Sequence, residues 1–156
     1  MATAANRDSW KTMHDLMWEG EAHDRMHRAC ATVNLSPGVL KGLVHLVADE
    51  GKPMRELAEH FGCDASWVTT LTDELEKHGL AERRPHRTDR RVKEIVLTAK
   101  GVKAKQRALD VMYEPPACFD ALNPADQRTL RDLLAKVAAA DPALAAIDGA
   151  GGKASA

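Results

Sequence analysis

Residues 89–101 have the sequence Asp-Arg-Arg-Val-Lys-Glu-Ile-Val-Leu-Thr-Ala-Lys-Gly, which carries the clearest structural signal in this chain. The first three residues predict a charged turn. Residues 92–97 are predicted to form a strand, and the alternation of residues 94–97 indicates that one of its faces is buried. Thr98 is a typical helix N-cap, so a helix should begin directly after the strand.

Two helices joined by a tight turn are predicted immediately upstream. Pro53 and Gly62 mark the limits of the first helix, and Asp64 and Gly79 mark those of the second. A strand over residues 81–84 then leads into the charged turn. Helix, turn, helix and a basic two-stranded hairpin form an arrangement that places one helix in a DNA groove and a charged loop beside it. The sequence therefore predicts a DNA-binding unit.

The distribution of charge supports this interpretation, although the net charge is only -1. Residues 1–82 contain 8 Lys/Arg and 14 Asp/Glu, residues 83–107 contain 10 and 2, and residues 108–156 contain 4 and 7. An isolated basic block in a nearly neutral chain is typical of a surface that binds phosphate. A solvated face of Lys and Arg is the alternative interpretation of the same block.

The N-terminal flank is predicted to be helical. Residues 8–33 contain no proline and form one long helix in this interpretation, but its apolar side changes near Gly20. A helix with two apolar sides must pack against two bodies, and we expect a second subunit to be one of them. Ser36 and Pro37 predict the start of a second helix, which should end near Gly51.

The C-terminal flank contains two further predicted helices. The helix capped by Thr98 should extend to about Tyr113, and prolines at positions 115 and 116 should end it. Asn123 and Pro124 predict the start of a final helix. Residues 143–156 are rich in alanine and glycine, and we expect them to be disordered.

Composition sets the remaining limits. The chain has 156 residues, which suits one domain with a substantial core. Three cysteines at wide spacing, Cys30, Cys63 and Cys118, do not suggest a disulfide framework. Neither a secretory signal nor an apolar run of about 20 residues is evident. A reduced cytoplasmic protein is expected.

Seven short motifs occur in a characteristic order within residues 35–101. They are Leu35-Ser36-Pro37, Glu56-Leu57-Ala58-Glu59, Ser66-Trp67-Val68-Thr69, Glu76-Lys77-His78-Gly79-Leu80, Glu82-Arg83-Arg84, Asp89-Arg90-Arg91 and Leu97-Thr98-Ala99-Lys100-Gly101. In this order and with these gaps, the set resembles the MarR family of winged helix-turn-helix transcriptional regulators. The resemblance covers the central two-fifths of the chain closely, and the helical flanks match in pattern only.

The resemblance implies a mainly α (α+β) fold with about six helices and a two-stranded wing. It implies a dimerisation helix over residues 7–34, a DNA-binding lobe over 35–98, dimerisation helices over 99–142 and a tail over 143–156. Proteins of this family are homodimers that bind palindromic double-stranded operators and usually repress. Many release DNA when a small molecule binds.

The residues expected to contact DNA lie in two helices and the wing. They are Arg55, Ser66, Trp67, Thr69, Thr70, Arg87, Arg90 and Arg91. Hydroxyl groups can bond to phosphates or base edges, and arginine suits a narrow minor groove. Trp67 has an alternative role as a packed aromatic at the start of its helix. Asp89 is expected to pair with Arg91 and brace the wing, as is common in the family.

The recognition helix departs from the family pattern. Relatives often have arginine where Thr70 stands and a basic residue where Glu74 stands. This helix has no basic residue before Lys77. We therefore expect major-groove binding to be weaker, and the wing to contribute more of the binding free energy.

An organic effector is implied by the resemblance, because the family's pocket lies between the dimerisation helices and the DNA-binding lobe. The candidate effector residues are Met13, His14, Met17, Trp18 and His45. Methionine and tryptophan at helical spacing are, however, also common in cores.

Metal or redox sensing remains an alternative for the same fold. His23, His27 and Cys30 lie at i, i+4 and i+7, a spacing that suits zinc, although no fourth ligand is evident. Cys63 precedes the recognition helix, whose dipole lowers a thiol pKa, but Asp64 beside it opposes that effect. No cofactor is predicted.

Two other classes of function make different predictions. For an enzyme, neither a phosphate-binding glycine loop nor a nucleophile elbow is found, and although His27 and Cys30 are spaced like a Cys–His pair, a helix at a dimer interface offers no oxyanion hole. A winged helix used only for protein–protein contact should lack a basic wing, whereas residues 83–91 contain five arginines. A salt-dependent gel shift distinguishes these classes.

Overall fold

The computed structural model describes residues 3–142 and Leu144. Within these residues there are seven α-helices, two 3-10 helices and one three-stranded antiparallel sheet. The helices and strands are α1 Ala4–Trp18, α2 Arg25–Val33, α3 Pro37–His45, β1 Lys52–Pro53, α4 Met54–Phe61, α5 Ala65–Lys77, β2 Ala81–Pro85, β3 Lys93–Leu97, α6 Ala99–Tyr113 and α7 Pro124–Ala139. The 3-10 helices are Glu21–Asp24 and Ala117–Ala121.

The fold is a winged helix-turn-helix, as predicted. Described residues up to Glu114 form one compact unit, and those from Pro115 onward form a second. The expected disorder of residues 143–156 falls, apart from Leu144, outside the described residues.

The first predicted helix is interrupted, so the prediction of one continuous helix over residues 8–33 was wrong. α1 ends at Trp18, and the N–H groups of Glu19 and Gly20 both donate to the Asp15 carbonyl, at 2.9 and 3.2 Å. Glycine favours such a break because it loses the most backbone freedom in a helix. The apolar side changes near Gly20 because the chain forms two separate helices, α1 and α2, on either side of it. Of these, α1 buries no residue, whereas α2 buries three.

The turns around the helix-turn-helix follow the predicted local chemistry. Gly62 and Gly79 have left-handed φ angles of 59° and 67° and end their helices. The Asp64 carboxylate accepts the Trp67 N–H at 2.9 Å and caps α5. Ser36 occupies the N-cap position of α3, but its side chain makes no capping hydrogen bond.

α3 is shorter than expected because the chain becomes extended at Leu46, whose ψ is 138°. Leu46 is fully buried, and its carbonyl accepts a hydrogen bond from Lys105 Nζ on α6 at 2.8 Å. This tertiary contact replaces the predicted continuation to Gly51. The large, fully buried side chains of the core come from α3 and the residue after it, from α4 and α5, and from β3: Leu40, Leu43, Leu46, Leu57, Val68, Thr72, Leu75 and Ile95.

The sheet has three strands in the order β1-β3-β2, where two were predicted. β1 has only two residues and pairs Lys52 with Ile95 and Pro53 with Glu94. So short a strand, one of its residues proline, has no recognisable sequence pattern. β3 is the central strand, and its residues Ile95, Val96 and Leu97 are all buried, so it buries both faces rather than one.

The second unit is built on α7. The Asn123 side chain accepts the N–H groups of Ala125 and Asp126, at 2.8 and 3.1 Å, and caps this helix. α7 contains no buried residue and exposes Leu133, Leu134 and Val137. Across the described ranges, every helix is too short or too polar to cross a bilayer.

Candidate nucleic-acid interface

α5 presents a polar face opposite its buried leucines. Ser66, Thr69, Thr70 and Asp73 are exposed, as predicted from the helical period. The Thr69 and Thr70 hydroxyls donate to the carbonyls of Ala65 and Ser66, at 2.9 and 3.1 Å. The Ser66 hydroxyl donates to the Asp64 carboxylate at 2.6 Å. These hydroxyl hydrogens are engaged within the helix start, and the oxygen lone pairs remain available as acceptors.

Trp67 lies at the edge of this face and is half-buried. Its ring packs edge-on against Phe61, with the ring centroids 5.3 Å apart. A Cβ added at Gly38 on α3 would lie 3.8 Å from the same indole. These contacts support the packed alternative for Trp67 and join α3, α4 and α5 at the start of the recognition helix.

The wing tip carries the arginines that were expected to reach DNA. Arg87, Arg90 and Arg91 are exposed, and none of them forms an ion pair with another described residue. Asp89 accepts the backbone N–H of Arg91 at 3.0 Å, and its carbonyl accepts the N–H of Val92 at 3.0 Å. The expected brace therefore acts through the main chain, and the Arg91 guanidinium stays free.

The two remaining arginines of the hairpin have carboxylate partners within the chain. Arg83 on β2 reaches α5, where it pairs with Asp73 at 2.6 Å and with Glu76. Arg84 pairs with Glu82 on its own strand. Arg83 was not predicted to be a functional residue, although the i, i+3 spacing of Asp73 and Glu76 on one helix is a signal for a shared cation.

Arg55, the candidate phosphate contact on α4, is 89% exposed and forms an ion pair with Glu59 at 2.8 Å. Exposed pairs of this kind contribute about 0–1 kcal/mol. A phosphate can therefore compete for the Arg55 guanidinium at little cost.

A cavity of about 370 Å³ lies beside α3. It is lined by Met26, Pro37, Gly38, Leu40, Lys41, Val44, His45 and Met112. Of the candidate effector residues, His45 lines this cavity. The other four lie on α1 outside it: Met13, His14, Met17 and Trp18.

His45 is a titratable residue of the cavity wall, and its surroundings lower its pKa. Burial lowers the pKa of its imidazole, and nearby positive charges on His60, Lys41 and Lys52 add to that effect. A hydrogen bond between Nδ1 and the Lys41 carbonyl, at 2.9 Å, opposes it. The ring also lies 4.6 Å from that of His60 and 4.9 Å from that of Phe61, centroid to centroid.

The residues considered for metal or redox sensing do not form a ligand set. His23 belongs to the 3-10 helix and His27 to α2, with ring centroids 6.3 Å apart. Cys30 is buried, and burial raises the pKa of its thiol, which disfavours the thiolate. No group of three His, Cys, Asp or Glu side chains within residues 3–142 and 144 is arranged to hold a metal ion.

The MarR family model matches residues 35–93. The HTH-type transcriptional regulator BilQ from Clostridium symbiosum (strain WAL-14163) is 28% identical over 104 residues, which cover 66% of this chain and 72% of BilQ.

Several solved structures are similar to this chain. YusO from Bacillus subtilis superposes with a TM-score of 0.70 at 23% identity, covering 90% of this chain and 100% of that chain. CouR from Rhodococcus jostii RHA1, solved with p-coumaroyl-CoA bound, has a TM-score of 0.52 at 27% identity, covering 72% of this chain and 80% of that chain. The first likeness supports the fold over nearly the whole chain.

Proposed function

Because the MarR family model matches residues 35–93, we propose that this chain is a homodimeric repressor of that family, which binds a palindromic operator and releases it when a small molecule binds. The observation that carries the proposal is the wing tip. Arg87, Arg90 and Arg91 have no carboxylate partner among the described residues, while the neighbouring hairpin arginines are paired. Unpaired guanidinium groups on an exposed loop are suited to phosphate and to a narrow minor groove.

In this arrangement the exposed face of α5 enters the major groove. Ser66, Thr69 and Thr70 lie in its first two turns, the part of a recognition helix that reaches base edges. Their oxygens accept hydrogen bonds from cytosine or adenine amino groups, and the threonine methyl groups suit thymine. The wing contacts the adjacent minor groove and backbone. Trp67 positions the helix by packing.

The dimer is proposed from unpartnered apolar surface. α1 buries no residue and exposes Trp10, Leu16, Met17 and Trp18, and α7 exposes Leu133 and Val137. Exposed apolar surface on this scale is typical of an interface. We assign residues 7–34 and 99–142 to dimerisation and 35–98 to DNA binding. A twofold dimer requires an operator with two related half-sites.

The effector site is proposed at the cavity beside α3. Its wall is apolar apart from Lys41 and His45, and its volume lies within the range of small-molecule sites. CouR, which is 27% identical to this chain, was solved with an organic molecule bound, p-coumaroyl-CoA. This observation supports an organic effector for this chain. We infer an apolar molecule with one negatively charged group for this chain. Met13, His14, Met17 and Trp18 are assigned to the same region in the dimer.

Selection of DNA from a randomised duplex pool tests the central proposal. The full chain should enrich a sequence with twofold symmetry, and affinity for it should fall steeply as salt rises, because phosphate contacts release counterions. Enrichment of no sequence, or affinity independent of salt, would overturn DNA-dependent regulation in favour of a protein-interaction module.

A second measurement tests the effector site. A panel of amphipathic organic anions is titrated against the protein–DNA complex in the gel-shift format. At least one compound should release the duplex from the wild-type chain, and Lys41→Met should reduce its potency. Release that Lys41→Met leaves unaltered would place the site elsewhere.

A further inference from the structure

The second half of the recognition helix is acidic, which is unfavourable beside DNA. Asp73, Glu74 and Glu76 lie within one turn of each other on α5. A carboxylate near phosphate is repelled, and this repulsion is felt within about 10 Å at ordinary salt. A helix bearing three uncompensated carboxylates would therefore oppose its own entry into a groove.

Arg83 compensates two of these carboxylates at once. Its Nη2 lies 2.6 Å from Asp73 Oδ1 and donates to the Thr69 carbonyl at 3.3 Å, while Nη1 donates to Glu76. The Arg83 backbone N–H donates to the other Glu76 oxygen at 2.8 Å. Four hydrogen bonds thus run from one residue of β2 to three residues of α5.

The fork shape of the guanidinium makes this connection specific. Arginine presents several donors in a fixed plane, which a lysine ammonium cannot reproduce. The Arg83 side chain is 25% exposed and that of Glu76 34%, so this pair is screened by salt less than pairs at the open surface, whereas Asp73 is 61% exposed. The third carboxylate, that of Glu74, has Lys77 at 3.3 Å and His78 at 3.9 Å on its own helix.

We propose that Arg83 is a positioning residue for operator recognition, which holds α5 at a fixed angle to the wing and offsets one of the two negative charges of Asp73 and Glu76. This inference rests on the proposed function and assigns no DNA contact to Arg83. Its neutralising role governs affinity for any duplex. Its positioning role governs discrimination, because α5 and the wing must engage neighbouring grooves in one register.

The test uses two duplexes of equal length: the sequence that the wild-type chain enriches from a randomised pool, and a scrambled version. Arg83→Met keeps an apolar stem and removes the guanidinium. It should weaken binding to the selected duplex on the order of tenfold or more, since like-charge juxtaposition is costly. Binding to the scrambled duplex should weaken less, so the ratio of the two affinities should fall.

The triple variant Arg83→Met/Asp73→Asn/Glu76→Gln separates neutralisation from direct contact. Without the two carboxylates, affinity for the scrambled duplex should return to the wild-type value or above, while the affinity ratio should stay low because β2 is no longer tied to α5. The slope of log affinity against log salt should match that of the wild type. A lost phosphate contact would instead reduce that slope by about 1.

Several outcomes would overturn the inference. These are an unchanged affinity ratio in folded Arg83→Met, a triple variant as weak as Arg83→Met on scrambled DNA, or a reduced salt slope in the triple variant. Thermal unfolding reports whether each variant is folded. If Arg83→Met does not fold, Arg83→Lys replaces it, and near-normal affinity for scrambled DNA with a reduced ratio is expected. Failure of the wild-type chain to select any duplex would remove the proposed function and this inference together.

Discussion

At the level of single residues, donors and acceptors are divided unequally between the wing and α5. Phosphate oxygens require donors. The hydroxyl hydrogens of Thr69 and Thr70 already serve carbonyls one turn back in the helix. The guanidinium groups of Arg90 and Arg91 have no ion pair with a described residue and can donate without breaking an internal contact. The wing should therefore contribute more of the binding free energy than the threonines.

Alanine substitutions compare the binding free energy contributed by the wing arginines with that contributed by the threonines of α5. A hydrogen bond to a charged group contributes about 1.5–3 kcal/mol and a neutral one about 0.5–1.5 kcal/mol. We expect Arg90→Ala and Arg91→Ala each to weaken operator binding more than Thr70→Ala does. Fluorescence titration with the selected duplex provides the comparison. The reverse order of affinities would assign the dominant contacts to the major groove.

The buried environment of His45 should make stability depend on pH. Because its pKa is lowered in the folded chain, the unfolded chain binds a proton more readily near its ordinary pKa of about 6.5. Stability contributed by the neutral imidazole is therefore present above this pH and is lost as pH falls through it towards the folded pKa.

His45→Gln removes this titration and provides the measurement. Urea unfolding of wild-type and variant proteins between about pH 8 and pH 5 should show the wild type losing stability relative to the variant as pH falls. His23→Gln serves as a control, because this histidine is exposed and is not among the groups that shift the pKa of His45. Parallel curves for the wild type and His45→Gln would contradict the expectation.

At the level of elements, features governed by neighbours in sequence could be predicted and those governed by distant contacts could not. The caps at Asp64 and Thr98 and the left-handed glycines follow from local backbone chemistry. The end of α3 depends on Lys105, which is 59 residues away. The five hairpin arginines look alike in sequence, and only the fold shows that Arg83 is engaged while the tip is free.

The packing of α6 against the start of the wing should be the least tolerant point of the scaffold. A Cβ at Gly101 would lie 1.9 Å from the Leu80 carbonyl oxygen, a backbone atom that cannot easily move. Gly101→Ala should therefore destabilise the protein by about 1–3 kcal/mol or more, although alanine favours helices.

Gly62→Ala is the matched control, because its φ is 59° and nothing lies within 4 Å of the added atom. Its cost should be limited to the left-handed backbone, about 1–2 kcal/mol. Denaturant unfolding compares the two variants. A Gly101→Ala protein as stable as the wild type would show that α6 can move away from Leu80.

At the level of the whole molecule, much apolar surface lacks a partner within the described chain. α7 exposes Leu133 and Val137, which are spaced i, i+4 and share one side of the helix. The exposed tryptophans and methionine of α1 form a separate apolar surface on the other unit. Such surface is costly to leave in water, and a second copy of the chain is the proposed partner.

Charge on this apolar side of α7 should dissociate the proposed dimer. Leu133→Asp/Val137→Asp should sediment as a monomer at micromolar concentration, because unpaired carboxylates are costly to bury at an interface. Arg128→Asp introduces charge on the opposite side of the same helix and should leave the dimer intact. Equal sedimentation of both variants as dimers would exclude α7 from the interface.

The short strand β1 has a mechanical consequence. It pairs with β3 through Lys52 and Pro53, and α4 begins at the very next residue. Bending of the hairpin would therefore displace α4, the first helix of the helix-turn-helix. Hinge motion within the lobe would require β1 to separate from β3. Ladder bonds and a buried central strand resist that separation. A tilt of the lobe as one rigid body keeps them intact, so departure from the duplex should occur by rotation rather than by flexing of the hairpin.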